Sequence, residues 1–497
     1  MIKAHYETYS SVGEICLAAA QSIVECRLPA LEVAKVLTAE GAATLTGASC
    51  ENGEIRYSGK LLLTVLYEDA EGKICRAERG AEFFHKAEGE KIAPAHFAVG
   101  KASVQNVGVR REGASVFLSA LVLAEFTVYG RKETHYLYGG EGLAIKRETA
   151  ELIKTVPASV TFEEEDDFET EYAEGVLSHT EKAFVTSVVS GAQQIEVSGE
   201  VGLQLCILKR DGSLCSYERL IPFKTQVPAD EITSLTPAEA EVQVQEAQIT
   251  AQTDEEKGTA KIEIVLTLRA DCKAYVKEEL SVCTDAYSPR SKVTLMMENA
   301  AGRYLTGEKI FTERIACKPM INGEIPEGAK LRAVVSPAAF VTAVSVENGS
   351  AQVEGAVEAK LICEAENGGY SCYPFTIPFL APAPMQGENL DAQAFVCGVG
   401  VRRKGGGEAE AEATLKILVK SYEEKTSAFV GGVEEEEEIP ENDCAISVYL
   451  PKKGDDLWTT AKRLSQFPEE FEKCNEGLAF PLQGEERLLV YRQKGEK

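Results

Sequence analysis

The sequence predicts a mainly β protein, with three tandem β-sandwich-like repeats followed by a small C-terminal βααβ module. Three observations carry that reading. One stretch is used three times at fixed spacing. β-prone runs are punctuated by glycine and proline at hairpin intervals. Few windows longer than ten residues show a helical period, and the residues after about 446 differ in kind.

The repeated stretch opens at Gly59, Gly199 and Gly355. A turn glycine follows thirteen residues on, at Gly72, Gly212 and Gly368, and a phenylalanine twenty-four residues on, at Phe83, Phe223 and Phe379. Cys75, Cys215 and Cys372 sit at nearly the same place in each copy. Insertions and deletions scramble such spacings unless one fold constrains them. Glu-Gly, Asp-Gly and Asn-Gly between apolar runs signal a tight hairpin, because the turn needs a positive φ that glycine adopts without strain.

The opening segment reads as a short helix or strand around Ile15 to Cys26. From Val36 to Arg131 the pattern is strand after strand, with Leu61 to Tyr67 apolar enough to be buried on both faces. Residues from about 132 to 182 join the first two repeats, and Glu163 to Asp167 reads as a solvated loop. Val-Gly-Val-Arg-Arg occurs at 107–111 and again at 399–403, and its arginines read as strand-end charges balancing an acidic chain. Asp285 to Arg290 is a turn-rich connection. Lys404 to Gly407 reads as a hairpin turn. Glu434 to Glu438 repel one another and read as a flexible tether. The expected organisation is repeat one over 1–150, repeat two over 151–300, repeat three over 301–430, an acidic linker over 431–443 and the module over 444–493.

Composition narrows the function classes. At 497 residues the chain is too long for one core. With 44% hydrophobic and 26% charged residues it is an ordinary folded protein. A net charge of −27 disfavours nucleic acid, whose phosphates are repelled. No apolar run is long enough to span a membrane. The N-terminus lacks a basic region followed by an apolar one, so the expectation is an unexported chain whose fourteen cysteines stay reduced. No Cys-x-x-Cys pair, Walker A sequence, Gly-x-Ser-x-Gly elbow or His-Glu-x-x-His occurs, and the five histidines are scattered. No catalytic, cofactor or metal residue is therefore assigned, and the chain is read as a non-enzyme.

The C-terminal module has its own order. A short β run from Ile446 to Leu450 precedes a turn at Lys453-Gly454-Asp455-Asp456. Leu457, Trp458, Ala461 and Leu464 then lie at helical spacing, and Trp458, Ala461 and Leu464 are read as core. Asp455 or Asp456 caps that helix. A second helix starts at Pro468, where a missing N–H costs nothing, and runs to Cys474. Arg487 to Tyr491 closes the module as a strand.

This segment resembles the LysM domain, whose Gly-Asp-x-Leu-Trp-x-x-Ala signature is matched by Gly454 to Ala461 and whose Asn after the second helix is matched by Asn475. Acidic Asp456 stands where the family usually has a small hydroxyl residue. The resemblance implies a ligand groove with Gly454, Asp455, Asp456 and Leu457 on one lip and Asn475, Glu476, Gly477 and Leu478 on the other. LysM domains typically bind N-acetylglucosamine polymers. Three β-rich repeats before one terminal LysM also resemble the SPOCS-domain morphogenetic proteins of clostridial spores. That resemblance implies a cytoplasmic mother-cell protein at the forespore surface, whose LysM domain binds the coat-basement ATPase SpoIVA. Edge strands of the repeats are natural docking sites for coat proteins or further copies. The alternative is a peptidoglycan-binding protein of the spore or cell envelope.

Overall fold

The computed structural model describes residues 2–28, 33–113, 115–347, 350–387, 389–404, 409–439 and 446–491. It is mainly β, with two short helices near the C-terminus. Six strands recur three times. The first set is β1 (Lys3–Leu28), β2 (Val33–Glu51), β3 (Glu54–Asp69), β4 (Ile74–Glu88), β5 (Phe97–Glu112) and β6 (Ser115–Glu141). The second is β7 (Ala144–Glu171), β8 (Ala173–Ser190), β9 (Gln194–Lys209), β10 (Leu214–Pro228), β11 (Ala238–Asp254) and β12 (Thr259–Tyr287). The third is β13 (Ser291–Cys317), a two-residue addition β14 (Met320–Ile321), then β15 (Lys330–Glu347), β16 (Ser350–Glu364), β17 (Tyr370–Ala383), β18 (Asn389–Arg403) and β19 (Ala409–Glu438).

In each set the middle three strands form one antiparallel sheet, and the first, last and fifth form the other. The orders are β2-β3-β4 facing β1-β6-β5, β10-β9-β8 facing β11-β12-β7, and β14-β17-β16-β15 facing β13-β19-β18. Alternate side chains of the two sheets meet in a shared core. Leu61, Leu63, Leu118 and Val122 meet in the first repeat, Val197, Leu203, Ile264 and Leu268 in the second, and Val353, Leu361, Leu415 and Ile417 in the third.

The spacing seen in the sequence has a physical cause. Gly59, Gly199 and Gly355 pair across the hairpin with Phe83, Phe223 and Phe379. A Cβ on any of these glycines would meet the phenylalanine ring at 2.2–2.4 Å and a neighbouring carbonyl oxygen at 2.3–2.5 Å. The ring therefore lies on the bare backbone, and only glycine fits beneath it. The turn glycines Gly72, Gly212 and Gly368 have φ of 83°, 76° and 83°, as the hairpin reading requires. Arg111 and Arg403, the last residues of the shared pentapeptide, donate to backbone carbonyls of the facing segment, Ala34 O at 3.1 Å and Ala329 O at 3.0 Å. These arginines staple the two layers, while Arg110 and Arg402 pair with Glu112 and Glu410.

The structure corrects the solvated loop, the joining segment and the acidic tether, and resolves the opening segment. The opening segment, left open between helix and strand, is a strand: residues 3–28 belong to the first repeat and pair with β6 from end to end. Glu163 to Asp167 lies within β7 and pairs with Thr267 to Glu263 of β12. The stretch read as a joining segment is thus the end of β6, all of β7 and the start of β8. Glu434 to Glu438 is the end of β19 and pairs with β13, Glu434 opposite Thr294 and Glu438 opposite Ser291. In both acidic runs the backbone supplies the ladder, and repulsion is relieved by water and by partners such as Arg219 for Asp166, Lys261 for Asp167 and Lys292 for Glu437. The expected boundaries at 150 and 300 fall inside β7 and β13. Gly405 to Gly407, read as a turn, and most of the expected linker beyond 439 lie outside the described residues.

The three sandwiches close on one another in a ring. Equivalent residues converge. Leu66, Cys206 and Ile362 lie six residues before the turn glycine, and Ile74, Leu214 and Tyr370 lie two residues after it. All six share one buried cluster with Leu37, Leu177 and Ala333. Glu40 of the first repeat accepts from Ser178 Oγ of the second (3.0 Å) and from Ser336 Oγ of the third. Each seam is head to tail. Arg76 donates to Val176 O at 2.9 Å, Ser216 Oγ accepts from Val334 N at 3.3 Å, and Lys35 donates to Tyr370 O at 2.7 Å. A second buried layer joins Leu137, Cys283 and Val430, and beside it Tyr136, Val282 and Phe429. Between the layers, Glu239 accepts from Tyr275 (2.5 Å), Tyr422 (2.6 Å) and Lys420 (2.8 Å). Burial opposes ionisation of Glu239, but Lys420 and the two phenols outweigh it and hold the carboxyl at about 2.

Candidate functional site

The C-terminal module consists of β20 (Ile446–Tyr449), α1 (Leu457–Arg463), α2 (Pro468–Cys474) and β21 (Leu488–Tyr491), in the order expected, with β20 and β21 antiparallel. Asp456 is the N-cap of α1. Its Oδ1 accepts from Thr459 N at 2.7 Å and its Oδ2 from Thr459 Oγ1 at 3.0 Å. Asp and Ser or Thr are interchangeable in that role, which accounts for an acid at this place. Pro468 starts α2 where its missing N–H is harmless. Ala461, Phe471, Leu482, Leu488 and Val490 are fully buried between the helices and the strands, with Leu457, Leu464 and Leu478 packed against them.

The residues of the two expected lips hold the module together. Gly454 turns the chain at φ 92°, and its N–H donates to Leu482 O at 2.8 Å. Asp455 accepts from Lys452 N (2.9 Å) and Arg463 (3.1 Å), which keeps its carboxyl below the usual range. Asn475 ends α2, donates to Phe471 O (2.9 Å) and Leu489 O (2.8 Å), and accepts from Leu489 N (2.7 Å). Gly477 turns the chain at φ 88°, and Glu476 beside it is exposed. Leu482 ties one lip to the chain leaving the other, since its N–H also donates to Asp455 O at 2.9 Å.

Trp458 lies at an interface. Its ring meets Tyr287 of the second repeat edge to face at 5.0 Å, and its indole N–H donates to Asp285 Oδ2 at 2.8 Å. Lys462 Nζ lies 2.6 and 2.7 Å from the two oxygens of the same carboxylate. Tyr287 OH donates to Gln466 O at 2.6 Å, and Ala144 is buried in the same cluster. The module is therefore clamped to the second repeat by residues that sequence reasoning read only as a turn-rich connection. The signal was present as a contrast between repeats. Where β12 carries Asp285 and Tyr287, β6 carries Gly139 and Glu141, and β19 carries Gly432 and Glu434.

Clamping one side of the module leaves another open. Ile446, Val448 and Leu450 are exposed at 65%, 58% and 68%, and Leu489, directly opposite Val448, at 47%. Ile446, Val448 and Leu489 thus share one outward face of a two-stranded sheet, extended by Leu450 just beyond β20, with Leu488 and Val490 buried on the other. Among the described residues the cysteines are free thiols, no cluster of metal-ligating side chains forms, and no helix is long and apolar enough to cross a membrane. No family model matches the chain, and no curated protein or solved structure matches it.

Proposed function

We propose that this chain is a non-enzymatic scaffold of spore-coat assembly, similar to the clostridial morphogenetic protein SipL. In this reading it acts in the mother cell at the forespore surface, where its LysM-like module binds the coat-basement protein SpoIVA. The observation that carries the reading is the outward apolar face of β20 and β21 on a module fixed to a broad β ring. Exposed apolar patches on an otherwise charged surface mark protein-binding sites. The lips support the protein reading over the glycan one, because Asp455, Asp456 and Asn475 spend their hydrogen bonds inside the module.

The test is co-purification of the full chain with SpoIVA, beside sedimentation with peptidoglycan. Val448→Lys together with Leu489→Lys is expected to abolish SpoIVA capture while the ring keeps its melting temperature. Retention on peptidoglycan without SpoIVA capture would replace this reading by envelope-glycan binding.

A further inference from the structure

The three seams of the ring are built alike but are not filled alike. At the seam between the second and third repeats, Glu151 on β7 pairs with Lys277 (3.0 Å) and Lys425 (2.6 Å). Leu152 beside it is buried, Lys277 lies over the Tyr304 ring at 4.1 Å, and Gly302 approaches Ile153 so closely that a Cβ would meet it at 2.5 Å. The strand registers place Ser10 and Ser11 of β1 where β7 has Glu151 and Leu152, and Arg131 where β12 has Lys277. Two small hydroxyl residues therefore stand in place of a long acid and a buried leucine. The result is an open cavity of about 500 Å³ between the first and second repeats.

Its walls carry opposite charge. The first repeat supplies Arg131, whose contacts to Ser10 and to Glu133 (3.4 Å) both use Nε, so that among the described residues its terminal nitrogens are left for a guest. It also supplies Phe97, stacked on Tyr129 at 5.5 Å and 46% exposed. The second repeat supplies Asp230 and Glu231 at the rim, with Lys154 drawn to Glu231. Glu231 holds a φ of 64°, a conformation that non-glycine residues adopt at a cost and that clusters at ligand clamps. The loop is held there by Ala229 N donating to Gln193 O at 3.1 Å.

The geometry points to a binding site for a small zwitterion of dipeptide size. The guest's carboxylate meets the fork of Arg131, its ammonium meets Asp230 beside the Glu231–Lys154 pair, and an apolar side chain lies on Phe97. A guanidinium fork matches a carboxylate in two parallel hydrogen bonds, and a cavity of this size is ordinary for a small ligand. Serines in the lining of the cavity leave room that the corresponding seam does not have.

Isothermal titration of the full chain with alanyl-phenylalanine tests this. The expected result is saturable one-to-one binding, weakened at least about tenfold by acetylating the amine or amidating the carboxylate, because each step removes a charge-assisted hydrogen bond. Ser11→Tyr, which fills the cavity, is expected to abolish binding with little change in melting temperature. Arg131→Ala, at an exposed position, is expected to lose the preference for a free carboxylate even if Ser11→Tyr disturbs the seam. No saturable heat up to about 10 mM dipeptide, equal binding of the blocked forms, or undiminished binding in both variants would overturn the proposal.

Discussion

Single atoms decide several features of this protein. A Cβ at Gly199 would stand 2.3 Å from both Phe184 O and the Phe223 ring. The carbonyl cannot move without breaking the ladder, so Gly199→Ala is expected to cost about 1–3 kcal/mol in urea unfolding. Adding Phe223→Leu should relieve only part of it. Asp285 is a second such point, since one carboxylate holds both Trp458 and Lys462. Asp285→Ala is expected to weaken docking of the module by about 2 kcal/mol. Trp458 is the only tryptophan, so its fluorescence should shift to the red while the ring's melting temperature holds. Glu239 gives a pH signature. Its folded pKa of about 2 lies below the ordinary 4.5, so its contribution is complete above about pH 5 and fades as pH falls towards 2. That contribution is about 3 kcal/mol, and Glu239→Gln is expected to flatten the fall in denaturant midpoint between pH 5 and 2.

Among elements, the hairpins and the C-terminal helices were legible in the sequence, and the charged strands were not. The Gly–Gly–Phe spacing survives because ring, bare backbone and turn must coincide within one hairpin. The helices of the module announce themselves through a cap at Asp456 and a proline at 468. β7 and the end of β19 carry acids at successive positions and show no apolar alternation from 163 to 167 or from 434 to 438. They are strands because a neighbour offers its backbone, which no local pattern records. The docking residues Asp285 and Tyr287 were hidden for the same reason, since their partners lie more than 170 residues away. Deleting 434–438 is therefore expected to lower the stability of the ring. It removes the partner of the start of β13, together with Glu435, which accepts from Ile2 N at 3.0 Å and Ser291 Oγ at 2.7 Å. A melting temperature unchanged by the deletion would show that this pairing contributes nothing.

On the scale of the whole molecule, closure matters most. Every repeat buries two flanks against its neighbours, and the central cluster takes residues from all three. A chain ending after residue 288 keeps two sandwiches but leaves Leu37, Leu66 and Leu177 without their third-repeat partners. Light scattering is expected to find it associated, whereas the full chain should be monomeric at the same concentration.

Threefold assemblies made from separate identical subunits must copy every alteration into all interfaces at once. Here the junctions are covalently ordered, and each has its own sequence. One could be hollowed at Ser10 and Ser11 while another kept its tight Glu151 pairing, and a single edge could acquire the Asp285–Tyr287 anchor. A single chain with three repeats can thus be specialised one side at a time.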